Sequence, residues 1–319
     1  MPTPLIPQEI HLLERYSSLE YFGLMRDAWE TMVKHCDECL GRFMRNLPAD
    51  YRNRPQPLQP DIVWGELVIR NFRDTMLGLF DAYIRLSHGD ASALNAAHRV
   101  VNDVRGQREF STAWFDEVEV RGGDKYYELL YYADRLADPI WRTAGAYWNK
   151  GALTVRYNAD SRGPLPDLKQ WPKYRLNTEI TVMTDDPVPH TGIYLPLIED
   201  SCAQFLIAGE PADKANVGYD PGTMQRVSRE PTQWVLVERV PGEFVDDPLA
   251  NLLQDAAASL RVGRVPAGAS CPQSGWWYTP AKLGSRRYFR QGEVFPRIED
   301  SDYGDTFWLW SQDQTSPSP

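Results

Sequence analysis

The stretch SGWWYTPAKLGSRRYFRQGEVFP, Ser274 to Pro296, closed by FWLW at Phe307 to Trp310, decides how the C-terminal half of the chain is read. Gly275, Gly284 and Gly292 recur at short intervals with Pro280 and Pro296 between or after them, so the backbone is told to turn repeatedly. Trp276, Trp277, Tyr278, Tyr288 and Phe289 supply the bulk that suits a pleated, half-buried surface. The pattern predicts a compact set of short antiparallel strands. Trp276 and Trp277 fall on successive strand positions, so one side chain enters a core and the other lies nearer the surface.

Upstream, the same strand signals continue. LTVRYN (Leu153 to Asn158), TEITVMT (Thr178 to Thr184), GIYLPLI (Gly192 to Ile198), CAQFLIAG (Cys202 to Gly209) and TQWVLVERV (Thr232 to Val240) are β-branched or aromatic runs bounded by Gly, Pro, Asp and Asn. Glu199-Asp200-Ser201 separates two of these runs and suits a hairpin with a three-residue loop. One helix interrupts them: PLANLLQDAAASL, Pro248 to Leu260, with Pro in its first turn and Asp246 or Asp247 as N-cap.

Before Gly151 the period is helical. Leu12, Leu13, Tyr16 and Leu19, then Phe22, Met25, Trp29, Met32, Val33, Cys36, Leu40 and Phe43 repeat at three and four until Pro48, as one long helix or two in tandem. A Pro-rich connector, LPADYRNRPQPLQP, leads to a second helix over Ile62 to Leu86, closed by Gly89. A shorter one spans Ala91 to Arg105. A fourth starts after Gly122-Gly123 and runs to Trp148, with Pro139 as a candidate kink. The expected fold is α+β: a helical bundle over residues 1–150, an antiparallel β-rich region with one or two helices over 151–312, and a disordered tail, 313–319. The join at Asn149 to Thr154 is short, so the two halves are expected to pack together.

At 319 residues, with 42% hydrophobic and 24% charged residues, the chain can bury a sizeable core. A net charge of −10 and no stripe of Lys and Arg argue against a nucleic-acid partner bound through its phosphates, and an acidic surface suits a basic partner. No basic segment followed by an apolar run opens the chain, and no window approaches a membrane span, so a cytoplasmic protein without membrane contact is expected. Four scattered cysteines, Cys36, Cys39, Cys202 and Cys271, read as reduced thiols.

Sites for chemistry are sparse. Cys36-x-x-Cys39 beside His35 lies mid-helix, whereas a redox pair belongs at a helix N-terminus, and a zinc site needs two further ligands. His190 near Asp185 and Asp186 is the most enzyme-like group, but Pro187, Pro189 and Gly192 describe a turn feeding a strand. No nucleophile elbow, P-loop or dinucleotide fingerprint is present. The reading is therefore no catalytic residue, no metal and no cofactor. The acidic groups Asp116, Glu117 and Glu119, Glu199 and Asp200, and Asp246 and Asp247 are the candidate partner-binding residues. Each is otherwise a solvated loop. A protein that binds or cleaves glycans through its Trp-rich C-terminus is the alternative.

CPQSGWW, then GSRRYF, GEVFP and a closing W-x-W resembles the C-terminal signature of a family of bacterial immunity proteins, antidotes encoded beside polymorphic toxins, often ones delivered by type VI secretion. The likeness covers Cys271 to Trp310. Its residues are Gly275, Trp276, Trp277, Arg287, Phe289, Gly292, Pro296, Trp308 and Trp310. It implies a non-catalytic protein that binds and neutralises a cognate toxin domain acting in the cytosol.

Overall fold

The computed structural model describes residues 3–220, 222–246, 265–279, 281–282, 285–298 and 306–311. It is α+β, with helices first and antiparallel sheets after. The chain divides into two compact units, Met1–Asp246 and Asp247–Pro319. The boundary between units thus lies at Asp246/Asp247, while the change of period at Gly151 falls inside the first unit. The helix expected over Pro248 to Leu260, Asp247 and the 313–319 tail lie outside the described residues.

In the first unit the long apolar run is two helices, α1 (Pro7–Tyr16) and α2 (Leu19–Arg45). Ser18 separates them because its hydroxyl accepts the Tyr21 N–H and caps α2. A π-helical stretch, Asp61–Val68, runs straight into α3 (Ile69–Ser87), and a 3₁₀ turn into α4 (Ala97–Gly106). The chain then forms α5 (Gly122–Ala144) and the short α6 (Ala159–Arg162). Gly122 is required where α5 starts, since a Cβ there would lie 2.4 Å from the Phe115 carbonyl oxygen.

The strands of this unit are β1 (Trp171–Met183), β2 (Gly192–Pro196), β3 (Gln204–Leu206), β4 (Ala215–Val217), β5 (Ser228–Glu230) and β6 (Gln233–Val245). Four of them form an antiparallel sheet in the order β1-β6-β2-β3, and β4 pairs with β5. Register shifts between Pro172 and Tyr174 and between Asn177 and Thr181 bend the long β1/β6 pair. Helices and sheet share one apolar core, in which Leu13, Trp29, Phe72 and Tyr126 are joined by Ile193, Leu195, Phe205 and Val237. The Trp148 carbonyl binds the two parts together by accepting from Gln204 Nε2 (2.8 Å), Asn216 Nδ2 (2.9 Å) and the Cys202 thiol (3.3 Å).

Three local expectations change. LTVRYN is a series of turns: Gly151 adopts a left-handed φ of 75°, and its carbonyl accepts the N–H groups of Thr154 and Arg156, which curls the segment. The connection between β2 and β3 is longer than three residues. Asp200 and Ser201 bond outward, Asp200 O accepting from Gly218 N and Ser201 Oγ donating to Asn216 O, so the loop spreads onto β4. Finally, β1 begins at Trp171, ahead of the apolar run at Thr178.

The second unit holds β7 (Val265–Pro266), β8 (Gly275–Tyr278), β9 (Arg287–Phe289) and β10 (Phe307–Trp310), ordered β7-β10-β8-β9. Trp277, Phe289, Phe295, Trp308 and Cys271 form its buried core. The Trp308 indole donates to the Pro296 carbonyl at 2.9 Å, and Trp277 meets Trp310 edge-on at 5.2 Å between ring centres. Gly292 turns the chain with φ 85° and donates to the Cys271 carbonyl. Arg287 covers Phe289 at 4.2 Å. Trp277 is buried and Trp276 only partly so, as alternation along β8 requires.

Candidate partner-binding site

Asp116, Glu117 and Glu119 sit on one tight loop between a 3₁₀ turn at Ala113–Phe115 and the start of α5. The loop is anchored from within by Trp114 and Phe115, whose rings stack at 4.0 Å. Both are buried against Trp64, which meets them edge-on at 5.5 and 5.1 Å. Each carboxylate then fixes a different neighbour. Asp116 accepts the Gly123 N–H at 3.0 Å and holds the first turn of α5. Glu117 forms a two-pronged pair with Arg54, 2.9 and 3.0 Å. Glu119 takes Arg42 at 2.6 Å and Lys125 at 3.3 Å.

What this scaffold presents outward is Val120, 94% exposed, followed by Arg121 in the left-handed region at φ 57°. A β-branched side chain fully in water beside a strained residue gains nothing from folding. Next to the loop, Arg54, Pro57, Leu58, Pro60, Trp64, Trp114 and Glu117 line a notch of about 300 Å³. Trp64 belongs to the π-helical stretch, a distortion found often at functional sites. Its indole N–H is satisfied by the Ser111 carbonyl at 2.9 Å. The Trp114 N–H is buried without an acceptor.

The loop also closes over the Cys-x-x-Cys region. His35 and Cys39, one turn apart on α2, meet Glu119, and one ligand atom from each lies within 4.8 Å of the others. The Arg42 guanidinium donates to both Cys39 Sγ (3.3 Å) and Glu119 (2.6 Å), so the cluster already carries its counter-charge and is poorly suited to a dication. The Arg42 hydrogen bond holds the Glu119 carboxyl below its usual range. Burial pushes the Cys39 thiol up and the His35 imidazole down.

The other acidic candidates are placed elsewhere. Asp200 pairs with Lys150, and Asp246 accepts from Gln170 at 3.0 Å. Glu199 is exposed in the β2/β3 connection. His190 contributes its carbonyl to the Tyr194 hydroxyl at 2.7 Å, and Asp185 sits in a left-handed turn, so both shape a loop. The nine aromatic, glycine, proline and arginine residues of the C-terminal pattern belong to the small sheet and its turns, where most of the rings pack on one another. A cleft of about 540 Å³ involving α4 and α5 alternates Arg105, Arg108 and Arg135 with Glu128, Asp134 and Asp138. Burial, with Asp138 nearby, pushes Asp134 up to about 6.

The acidic residues of the loop stand out in the sequence as a cluster, whereas nothing but spatial proximity connects Arg54, Trp64 and Trp114 to them. One signal was available: AWFDEVEVRGG joins two aromatics, alternating carboxylates and a Gly-Gly helix start. No helix among the described residues is long and apolar enough to cross a membrane. Comparison with protein families, curated proteins and solved structures gives no match.

Proposed function

We propose that this protein is a cytoplasmic antidote that binds a cognate, cytosol-acting toxin domain and neutralises it without chemistry of its own, the 113–121 loop and the adjoining notch forming the contact. The observation that carries the reading is the loop itself, whose three carboxylates are each held by a specific neighbour while Val120 stands 94% exposed at its tip. A rigid tip with an apolar centre and a charged rim matches the anatomy of interfaces, in which a few central residues dominate the binding energy. The likeness of Cys271 to Trp310 to immunity proteins supplies the kind of partner, and the net charge of −10 favours a basic one. Co-expression with the product of the adjacent open reading frame tests this. Growth should be restored for that toxin and for no unrelated one, and turnover of a glycan or nucleotide by the purified protein without protection would remove the reading.

The alternative, a glycan-binding protein, draws on the outward side of β8 and β9. There Trp276 meets the half-exposed Tyr288 at 5.9 Å and Arg286 lies 4.6 Å over Trp276. Loss of sugar binding in Trp276→Ala with unchanged melting temperature would favour it.

A further inference from the structure

We propose that the cleft lined by α4, α5 and α6 binds a short neutral saccharide. The site is separate from the 113–121 loop and does not rest on the antidote reading. Its volume of about 540 Å³ is that of a small-molecule site, and it brings three kinds of surface together. Buried Val101 and Val104 and the half-exposed rings of Tyr131 and Tyr132 are apolar. Arg105, Arg108 and Arg135 can only donate hydrogen bonds, and ionised Glu128, Asp134 and Asp160 can only accept them.

The opposite charges of this cleft do not pair. Elsewhere Arg42, Arg54, Arg73 and Arg85 each hold a carboxylate at 2.5–2.9 Å. In the cleft, none of those six charged side chains makes an ion pair or a hydrogen bond among the described residues, and only Asp138 is matched, with Arg142 at 2.7 Å. Asp134 is half-buried, and burial, then the Asp138 charge, push its carboxyl up to about 6, while Arg108 and Arg105 pull it down from beyond contact. A carboxylate partly stripped of water, with no donor touching it, gains from any group that donates to it.

The occupant has to donate to Asp134 and accept from Arg105 and Arg108 in the same place. A hydroxyl does both, whereas an ammonium only donates and a carboxylate only accepts. A phosphate would face Glu128, Asp134, Asp138 and Asp160, and a polyamine would face three guanidiniums. A zwitterion needs the two signs gathered at two ends, but Glu128, Asp134, Arg135 and Asp138 interleave them along α5. A saccharide is uncharged, its hydroxyls serve both signs, and its C–H faces suit tyrosine rings and valines.

The test is saturation-transfer NMR of the full chain with maltotriose, cellotriose, mannotriose and the trimer of N-acetylglucosamine. Glycerol 3-phosphate, spermidine and zwitterionic trialanine serve as charged competitors. At least one trisaccharide should show saturable transfer at millimolar concentration and none of the charged probes should displace it. Asp134→Asn and, at an exposed position, Arg108→Gln should each weaken it roughly tenfold with thermal unfolding unchanged. Trp276→Ala, on the small sheet, should leave it as it is. No transfer to any trisaccharide, or a stronger response from a charged probe, overturns the proposal. So does a saccharide signal that survives Asp134→Asn and Arg108→Gln but is lost in Trp276→Ala.

Discussion

The small sheet of the second unit and the 113–121 loop of the first both set aromatic rings beside charged groups, and they use them in opposite ways. In the sheet, Trp277, Phe289, Phe295 and Trp308 pack against one another, Arg287 lies over Phe289, and the rings are consumed by the core they form. In the loop, Trp114 and Phe115 are buried as an anchor, and the anchoring leaves Val120 and the mouth of a notch outside. Density of aromatic and glycine residues thus marks packing. The features that point outward are sparse in sequence, because they need only one exposed residue and a rigid support.

The contrast can be broken by substitution. The largest effect is expected at Trp277→Ala, which empties the centre of the small core and should cost on the order of 3–5 kcal/mol in the stability of that unit. Thermal unfolding checks it. Trp276→Ala on the opposite face of β8 should cost far less, and equal losses at the two positions would mean that β8 does not alternate as described.

A pH-dependent effect of somewhat smaller size is expected in the first unit. Glu9 is 3% exposed, and its carboxylate accepts the Ala203 N–H at 2.8 Å. Burial raises its pKa from 4.5 to about 7, against the opposing pull of that hydrogen bond. Because the folded value is the higher one, folding binds a proton between the two values. The stability that Glu9 contributes is fullest below pH 4.5 and falls as pH rises towards about 7, by about 3 kcal/mol. Glu9→Gln, which keeps the shape without the charge, should remove that slope in denaturant titrations at pH 5 and pH 8. A slope unchanged in the variant would place the titrating group elsewhere.

The smallest effect on stability is expected at the loop. Arg54→Ala breaks a partly exposed ion pair worth about 0–1 kcal/mol, yet it should weaken partner binding by slackening the rim that the pair holds in place. If acidic residues steer the encounter, the association rate should fall as salt rises from about 50 to about 500 mM while dissociation changes little. A salt-independent association rate would remove steering and leave the contact.

The helices and most strands were legible because their apolar residues repeat at 3.6 or 2, and the core reads that repeat directly. LTVRYN misled because its β-branched residues satisfy strand composition, while one left-handed glycine, Gly151, decides the backbone. The unit boundary at Asp246/Asp247 was hidden because packing of Ile193, Phe205 and Val237 onto the helices has no local signature. At the site, Asp116, Glu117 and Glu119 were visible as a charge cluster. Their partners Gly123, Arg54, Arg42 and Lys125 were not, and those partners determine which carboxylate faces a ligand.

The 113–121 loop is proposed as the contact through which this protein neutralises another. The most direct test is the affinity of the purified chain for the product of the adjacent open reading frame, measured for the native protein, for Val120→Asp and for Leu77→Asp, another exposed apolar position, on α3. A charge at 94% exposure should leave the fold intact. Val120→Asp should weaken the complex at least tenfold and abolish rescue, with Leu77→Asp indistinguishable from native. Native affinity in Val120→Asp, in a protein that still rescues, would contradict it.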